Sequence, residues 1–217
     1  VSKGSKAKRD KKQKDKQKKS NIRLHRKFSM PQEPLGRLDL VFDPRFLTTP
    51  DAIDDNVRDF CSSTSTQAPF FLEVRPELWC RQSNCNQNVR RYIEINGGEI
   101  ICGYKIWYNK NRYIEAERHA VWRKGDEYRD ITFNADGETK ILFLPDIPEK
   151  QGELELGPDR IRFAITEQAK EQVKIQEMIE KQVPVEKMTE EDSWNAMISY
   201  EEWLKGKRMS SLLLGER

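Results

Sequence analysis

Cys85-Asn86-Gln87-Asn88-Val89-Arg90-Arg91-Tyr92-Ile93-Glu94-Ile95-Asn96-Gly97-Gly98 changes period at its glycine pair, and the fold is read from that change. After Cys85, the apolar residues Val89, Tyr92 and Ile93 recur at helical intervals, and Asn96-Gly97-Gly98 closes the run as helices commonly close. The spacing predicts a helix that begins at Cys85. Beyond the glycines, Ile100 to Tyr108, Tyr113 to Trp122 and Tyr128 to Asn134 are rich in aromatic and β-branched residues. Asn109-Lys110-Asn111 and Lys124-Gly125-Asp126 separate them as turns. The expected fold class is α+β: a Cys-bearing helix packed on an antiparallel β-meander.

Chemistry concentrates in the same stretch. At a helix start, unpaired N–H groups and the positive end of the dipole favour a thiolate, so the position of Cys85 supplies part of its activation. Along the middle strand Glu115, Glu117, His119 and Val121 share one face, and Asp130 and Thr132 share a face of the next. His119 and Asp130 are therefore expected to meet across neighbouring strands. A nucleophilic thiol needs a base for its proton and an acid to orient that base, and Cys85, His119 and Asp130 offer one of each in that order.

A helix with Cys at its start, then a strand bearing His and a strand bearing Asp, resembles the core of the transglutaminase-like superfamily of papain-type thiol enzymes. His119-Ala120-Val121-Trp122 followed by Arg129-Asp130-Ile131-Thr132 is similar to that family's His and Asp strands, and the resemblance covers roughly residues 78 to 146. It implies Cys85 as nucleophile, His119 as general base and Asp130 as orienting acid. Many such enzymes surround the thiol with aromatic and small residues; here Asn84 and Asn86 stand there, and Gln82 and Asn84 are the candidate oxyanion donors. The implied activity is a cysteine-dependent hydrolase or acyltransferase that acts on an amide or ester carbonyl of an unnamed acyl substrate through a thioester. No cofactor is called for.

The competing reading is a non-catalytic module that binds nucleic acid or protein and is stabilised by zinc on Cys80, Cys85, Cys102 and His119. Four residues separate Cys80 from Cys85, the upper limit for a zinc knuckle, and no second knuckle appears. A second metal option uses Glu115, Glu117 and His119, joined by Asp130.

Charge divides the 217-residue chain. Residues 1–27 hold thirteen Lys or Arg against two Asp, a net of +11 in a chain of +3, which leaves an acidic remainder of −8. Lys3 to Lys19 is almost entirely Lys, Gln, Ser and Asp, too poor in apolar surface to offset ordering entropy, so a disordered basic arm is expected. Such an arm is attracted to nucleic acid without sequence preference and with strong salt dependence, or to the acidic body of its own chain. No aromatic residue interleaves with the lysines, so base stacking is absent from it. No apolar segment follows the N-terminal charges and no run of eighteen apolar residues occurs, so neither a signal peptide nor a membrane span is expected. Four cysteines, Cys61, Cys80, Cys85 and Cys102, then read as free thiols in a cytoplasmic protein.

The flanks read as scaffolding around a core of residues 34–148. Pro34 to Phe60 carries apolar residues and a turn or helix start at Pro50-Asp51, and Ser62 to Gln67 reads as a polar loop. Phe70, Leu72, Val74 and Trp79 are expected to form a wall beside the thiol, and Asp136-Gly137 a hairpin turn into Lys140 to Leu144. Residues 159–207 read as a helical segment: Thr166 to Gln182 sets Ala169, Val173, Gln176 and Ile175 or Ile179 along one side, and Thr189 caps a start leading to Trp194, Met197, Ile198 and Trp203. These terminal helices pack on the domain or hold a protein partner, and residues 208–217 are expected to fray.

Overall fold

The computed structural model describes residues 47–182 and 188–209, so the basic arm, the stretch from Pro34 to Phe46 and most of the terminal residues lie outside the described residues. Helix α1, Asp55–Thr64, starts at Asp54, whose side chain accepts the Val57 amide. It buries Val57, Phe60 and Cys61, each worth roughly 1.5–3 kcal/mol for the larger apolar side chains. The expected loop begins later than Ser62, because Ser63 and Thr64 turn their hydroxyls back onto the Phe60 carbonyl and continue the helix. Strand β1 is Phe70–Glu73, and helix α2 is Cys85–Asn96, ending at Gly97 with φ 69°. Both glycines are required there. Gly98 also has positive φ, and a Cβ on it would lie 2.5 Å from the Arg123 carbonyl oxygen and from the Trp122 indole nitrogen.

Strands β2, Glu99–Asn109, and β3, Tyr113–Lys124, pair antiparallel along their full length, with Gly103 opposite His119. Strand β4, Glu127–Arg129, follows a tight turn at Gly125 and pairs only with the end of β3. The strand expected to run to Asn134 therefore stops early. At Asp130 the chain leaves β3 and bridges Val74 instead, with the Arg75 amide donating to the Asp130 carbonyl at 2.7 Å. The Asp136-Gly137 turn is not a hairpin either: strand β5, Lys140–Pro145, inserts between β1 and β2, giving the order β1-β5-β2-β3-β4. Strand β6, Arg160–Ala164, pairs with residues 113–117 of β3. Since β2 fills one edge of β3, β4 and β6 share the other and leave residues 118–121 between them.

Apolar residues cover both faces of this mixed helix and antiparallel sheet, which is why β2 is buried almost continuously instead of alternately. On one face, Ile114 and Ala116 pack with α1, while Ala120 and Trp122 join Cys80, Cys85, Val89 and Tyr92 around α2. On the other, Val121 packs with Leu72, Ile101, Ile141 and Phe143. The expected wall is thereby corrected: Phe70, Leu72 and Val74 belong to this opposite cluster, and of the four only Trp79 packs with the group that holds Cys85.

Helix α3, Glu167–Gln182, buries Ala169, Gln172 and Val173. Ile175 and Ile179 are exposed, a departure from the stripe read in sequence, because the sheet offers cover only to the first two turns. Thr189 caps helix α4, Glu190–Ala196, and Ser199 caps helix α5, Tyr200–Leu204, with a full capping box to Glu202. Both pack on the domain. Trp194 lies against Trp79 and beneath the Arg91 guanidinium, and Tyr200 and Trp203 pack on Phe133. Among the described residues no helix is long and apolar enough to cross a membrane.

Candidate active site

Cys85 is the first residue of α2 and retains only 8% of its surface. The loop into it turns through Ser83, whose φ of 58° places a non-glycine residue in the left-handed region, a conformation costing about 1–3 kcal/mol. Asn84, the residue before the helix, does not cap it. Its amide is turned outward, donating to the Ser193 carbonyl at 3.2 Å while its oxygen accepts the Ser193 hydroxyl at 2.8 Å. The first N–H groups of α2, which have no acceptor within a helix, are thus left uncapped beside the thiol.

His119 stands in the gap on the outer edge of β3, and its Nε2 lies 3.1 Å from Asp130 Oδ2. Nδ1 is the nitrogen left for sulfur. The Cys85 thiol reaches the ring and acts on its proton by hydrogen bond and by charge. The structure therefore brings Cys85, His119 and Asp130 together. Burial alone would push the His119 pKa down, but the charge and hydrogen bond of Asp130, with the Cys85 thiol, outweigh it and raise it to about 10. At neutral pH the ring is an imidazolium held between a carboxylate and a sulfur.

Asp130 is fully buried and uses both oxygens, Oδ2 on His119 and Oδ1 on the Thr132 amide at 2.9 Å. Departure of the chain from β3 makes this geometry, since the segment after β4 turns inward at Asp130 instead of continuing the ladder. Gly103, paired opposite His119, sets how closely β5 lies against β2. A Cβ there would meet the Leu144 carbonyl oxygen at 2.3 Å, so β5 could not approach β2 as it does.

Gln82, three residues before the thiol, is 2% exposed, its backbone N–H donates to the Ile198 carbonyl at 3.1 Å, and its side-chain Oε1 is buried without a partner. Of the two candidate oxyanion donors, Asn84 is tied to Ser193, and Gln82 has the side chain less committed. The other three cysteines are more deeply buried than Cys85, at most 1% exposed; burial pushes the thiols of Cys61, Cys80 and Cys102 up to about 12. All four are free, as expected.

Neither metal reading finds its geometry. Among the described residues no three His, Cys, Asp or Glu side chains are arranged to hold a metal ion, so Cys80, Cys85, Cys102 and His119 do not form a zinc set. Glu115 is bound by Arg162 at 2.6 Å, and Glu117 accepts the Trp107 indole N–H at 2.9 Å.

Two residues of this neighbourhood escaped the sequence reading. Arg118, beside His119, is buried with its guanidinium on Asp146 and on the carbonyls of Lys150, Glu153 and Leu154, which holds the loop whose Leu154 packs beside the thiol cluster. Asn88 is fully buried on α2; a polar residue inside an otherwise apolar helix face was the signal for it. No protein-family model matches this chain, and no curated protein or solved structure matches it.

Proposed function

We propose that this protein is a cysteine-dependent hydrolase or acyltransferase with a transglutaminase-like arrangement of its site, acting on an amide or ester carbonyl. The observation that carries the reading is the His119 ring held between Asp130 and a thiol at an uncapped helix start. In this reading the Cys85 sulfur attacks the carbonyl carbon, forming a C–S bond while the π electrons move to oxygen. The N–H groups at the start of α2 and the Gln82 side chain face the developing oxyanion. Collapse breaks the bond to the leaving amine or alcohol, which takes its proton from the His119 imidazolium. Neutral His119 then accepts a proton from water or an acceptor amine as it attacks the thioester, and sulfur departs to regenerate the ion pair. Asp130 keeps the ring oriented and balances its charge throughout.

Limiting iodoacetamide at pH 7, followed by peptide mass spectrometry, tests the nucleophile. Cys85 should be labelled first, because the other three thiols are both less exposed and held protonated. Incubation with p-nitrophenyl acetate should then place one acetyl group on Cys85. Preferential labelling of Cys61, Cys80 or Cys102 overturns the assignment.

A further inference from the structure

We propose that Asn88 and Thr132 form a bridge that positions the thiol's helix against the acid of the triad, an inference that rests on the function proposed above. Asn88 is fully buried and Thr132 is 2% exposed, so neither amide nor hydroxyl has water to fall back on. Asn88 Oδ1 accepts the Arg81 amide at 2.8 Å, and its Nδ2 donates to the Arg81 carbonyl at 2.8 Å and to Thr132 Oγ1 at 3.1 Å. The side chain thereby pairs with the backbone of the loop that leads into Cys85, as a neighbouring strand would, and has one N–H left for Thr132. Thr132 in turn donates its own amide to Asp130 Oδ1 at 2.9 Å.

A continuous chain of bonds therefore runs from the loop before the nucleophile, through the first turn of α2, to the carboxylate that orients His119. Only a carboxamide supplies an acceptor and two donors at that position. A buried network of this sort adds little net stability compared with an apolar replacement, yet it sets one register between the parts it joins. What it registers here is the separation of sulfur from imidazole, a distance on which thiol activation depends steeply. Asn88 and Thr132 touch no reacting atom, and their role is positioning.

Thr132→Val tests the bridge, because it removes the hydroxyl in a side chain of the same shape and leaves the amide that holds Asp130. The rate of Cys85 alkylation by iodoacetamide is measured from pH 5 to 10, beside the melting temperature and the His119 titration followed by NMR. We expect Cys85 in T132V to react about tenfold more slowly at pH 7 and with an altered pH profile, while the protein melts within a few degrees of the parent. Thr132→Ser, which keeps the hydroxyl, should restore both. Should T132V fail to fold, Thr132→Ala removes the same hydroxyl without adding a methyl group to a closed site. A folded hydroxyl-free variant with the parent's rate and profile overturns the bridge while leaving the triad standing. A parent protein whose Cys85 is no more reactive than its other cysteines overturns both.

Discussion

Asp130→Asn removes a charge and leaves the shape, and its consequences follow from the two bonds the carboxylate makes. Asp130 gives one oxygen to the Thr132 amide and the other to His119 Nε2. Asn has one oxygen. If that oxygen stays with Thr132, an NH₂ faces the ring, Nε2 must become an acceptor, and the ring's single proton moves to the nitrogen facing sulfur. No imidazolium is then available to stabilise a thiolate, the fault expected of a wrong tautomer. In the parent, His119 is raised from 6.5 to about 10 with Asp130 as the main favourable cause against burial. At 1.36 kcal/mol per unit that interval is about 5 kcal/mol, at the upper end of the roughly 3–5 kcal/mol typical of breaking a buried ion pair. A ring whose folded pKa lies above its unfolded value stabilises the fold fully below about pH 6.5, and this stabilisation is lost as pH rises through about 10. The stability gap between parent and D130N should thus be widest near pH 6 and narrow toward pH 10. Urea denaturation across that range measures it, and iodoacetamide kinetics at pH 7 should show Cys85 slowed about a hundredfold in the folded variant. A parent His119 that titrates near 6.5 by NMR, or a folded D130N whose Cys85 reacts at the parent rate, would refute the reasoning.

Arg118→Met should cost about 3–5 kcal/mol in urea, because it strands buried Asp146 and three loop carbonyls; a loss below about 1 kcal/mol would show that the loop holds itself. Trp194→Ala should cost about 3 kcal/mol and speed hydrogen exchange at the Gln82, Tyr200 and Glu201 amides, all of which join the C-terminal segment to the loop before Cys85. Unchanged exchange there would mean that α4 docks without its tryptophan. Deleting residues 1–20, which carry ten Lys or Arg against two Asp, should abolish salt-sensitive binding to DNA or RNA, measured by fluorescence anisotropy at two salt concentrations, with the melting temperature nearly unchanged.

Elements whose signal is local were legible in the chain alone. The glycine pair after Asn96, the period change beyond it and the Thr189 cap predicted α2, the β2–β3 hairpin and the start of α4, because helix intervals, turn conformations and caps are decided within a few residues. The order Cys85, His119, Asp130 singled out the three side chains that meet. How they meet was a tertiary matter. Asp130 faces His119 because the chain abandons β3 for a bridge to Val74, just past the end of β1, a choice made by pairing partners more than fifty residues apart. The same holds for β5, which periodicity marked as a strand but whose place between β1 and β2 depends on which edges were free. Likewise β6 lay hidden in a short charged stretch, since Arg162 finds its partners Glu115 and Glu180 only after folding. The sequence marks Asn88 as a polar residue on an apolar helix face and sets Thr132 beside Asp130, but it does not name their partners or that of Ser193, because a buried hydrogen bond is a property of two segments at once. Sequence determines what each segment can become; the assembled sheet decides which polar groups must satisfy one another, since burial leaves them no water to use instead.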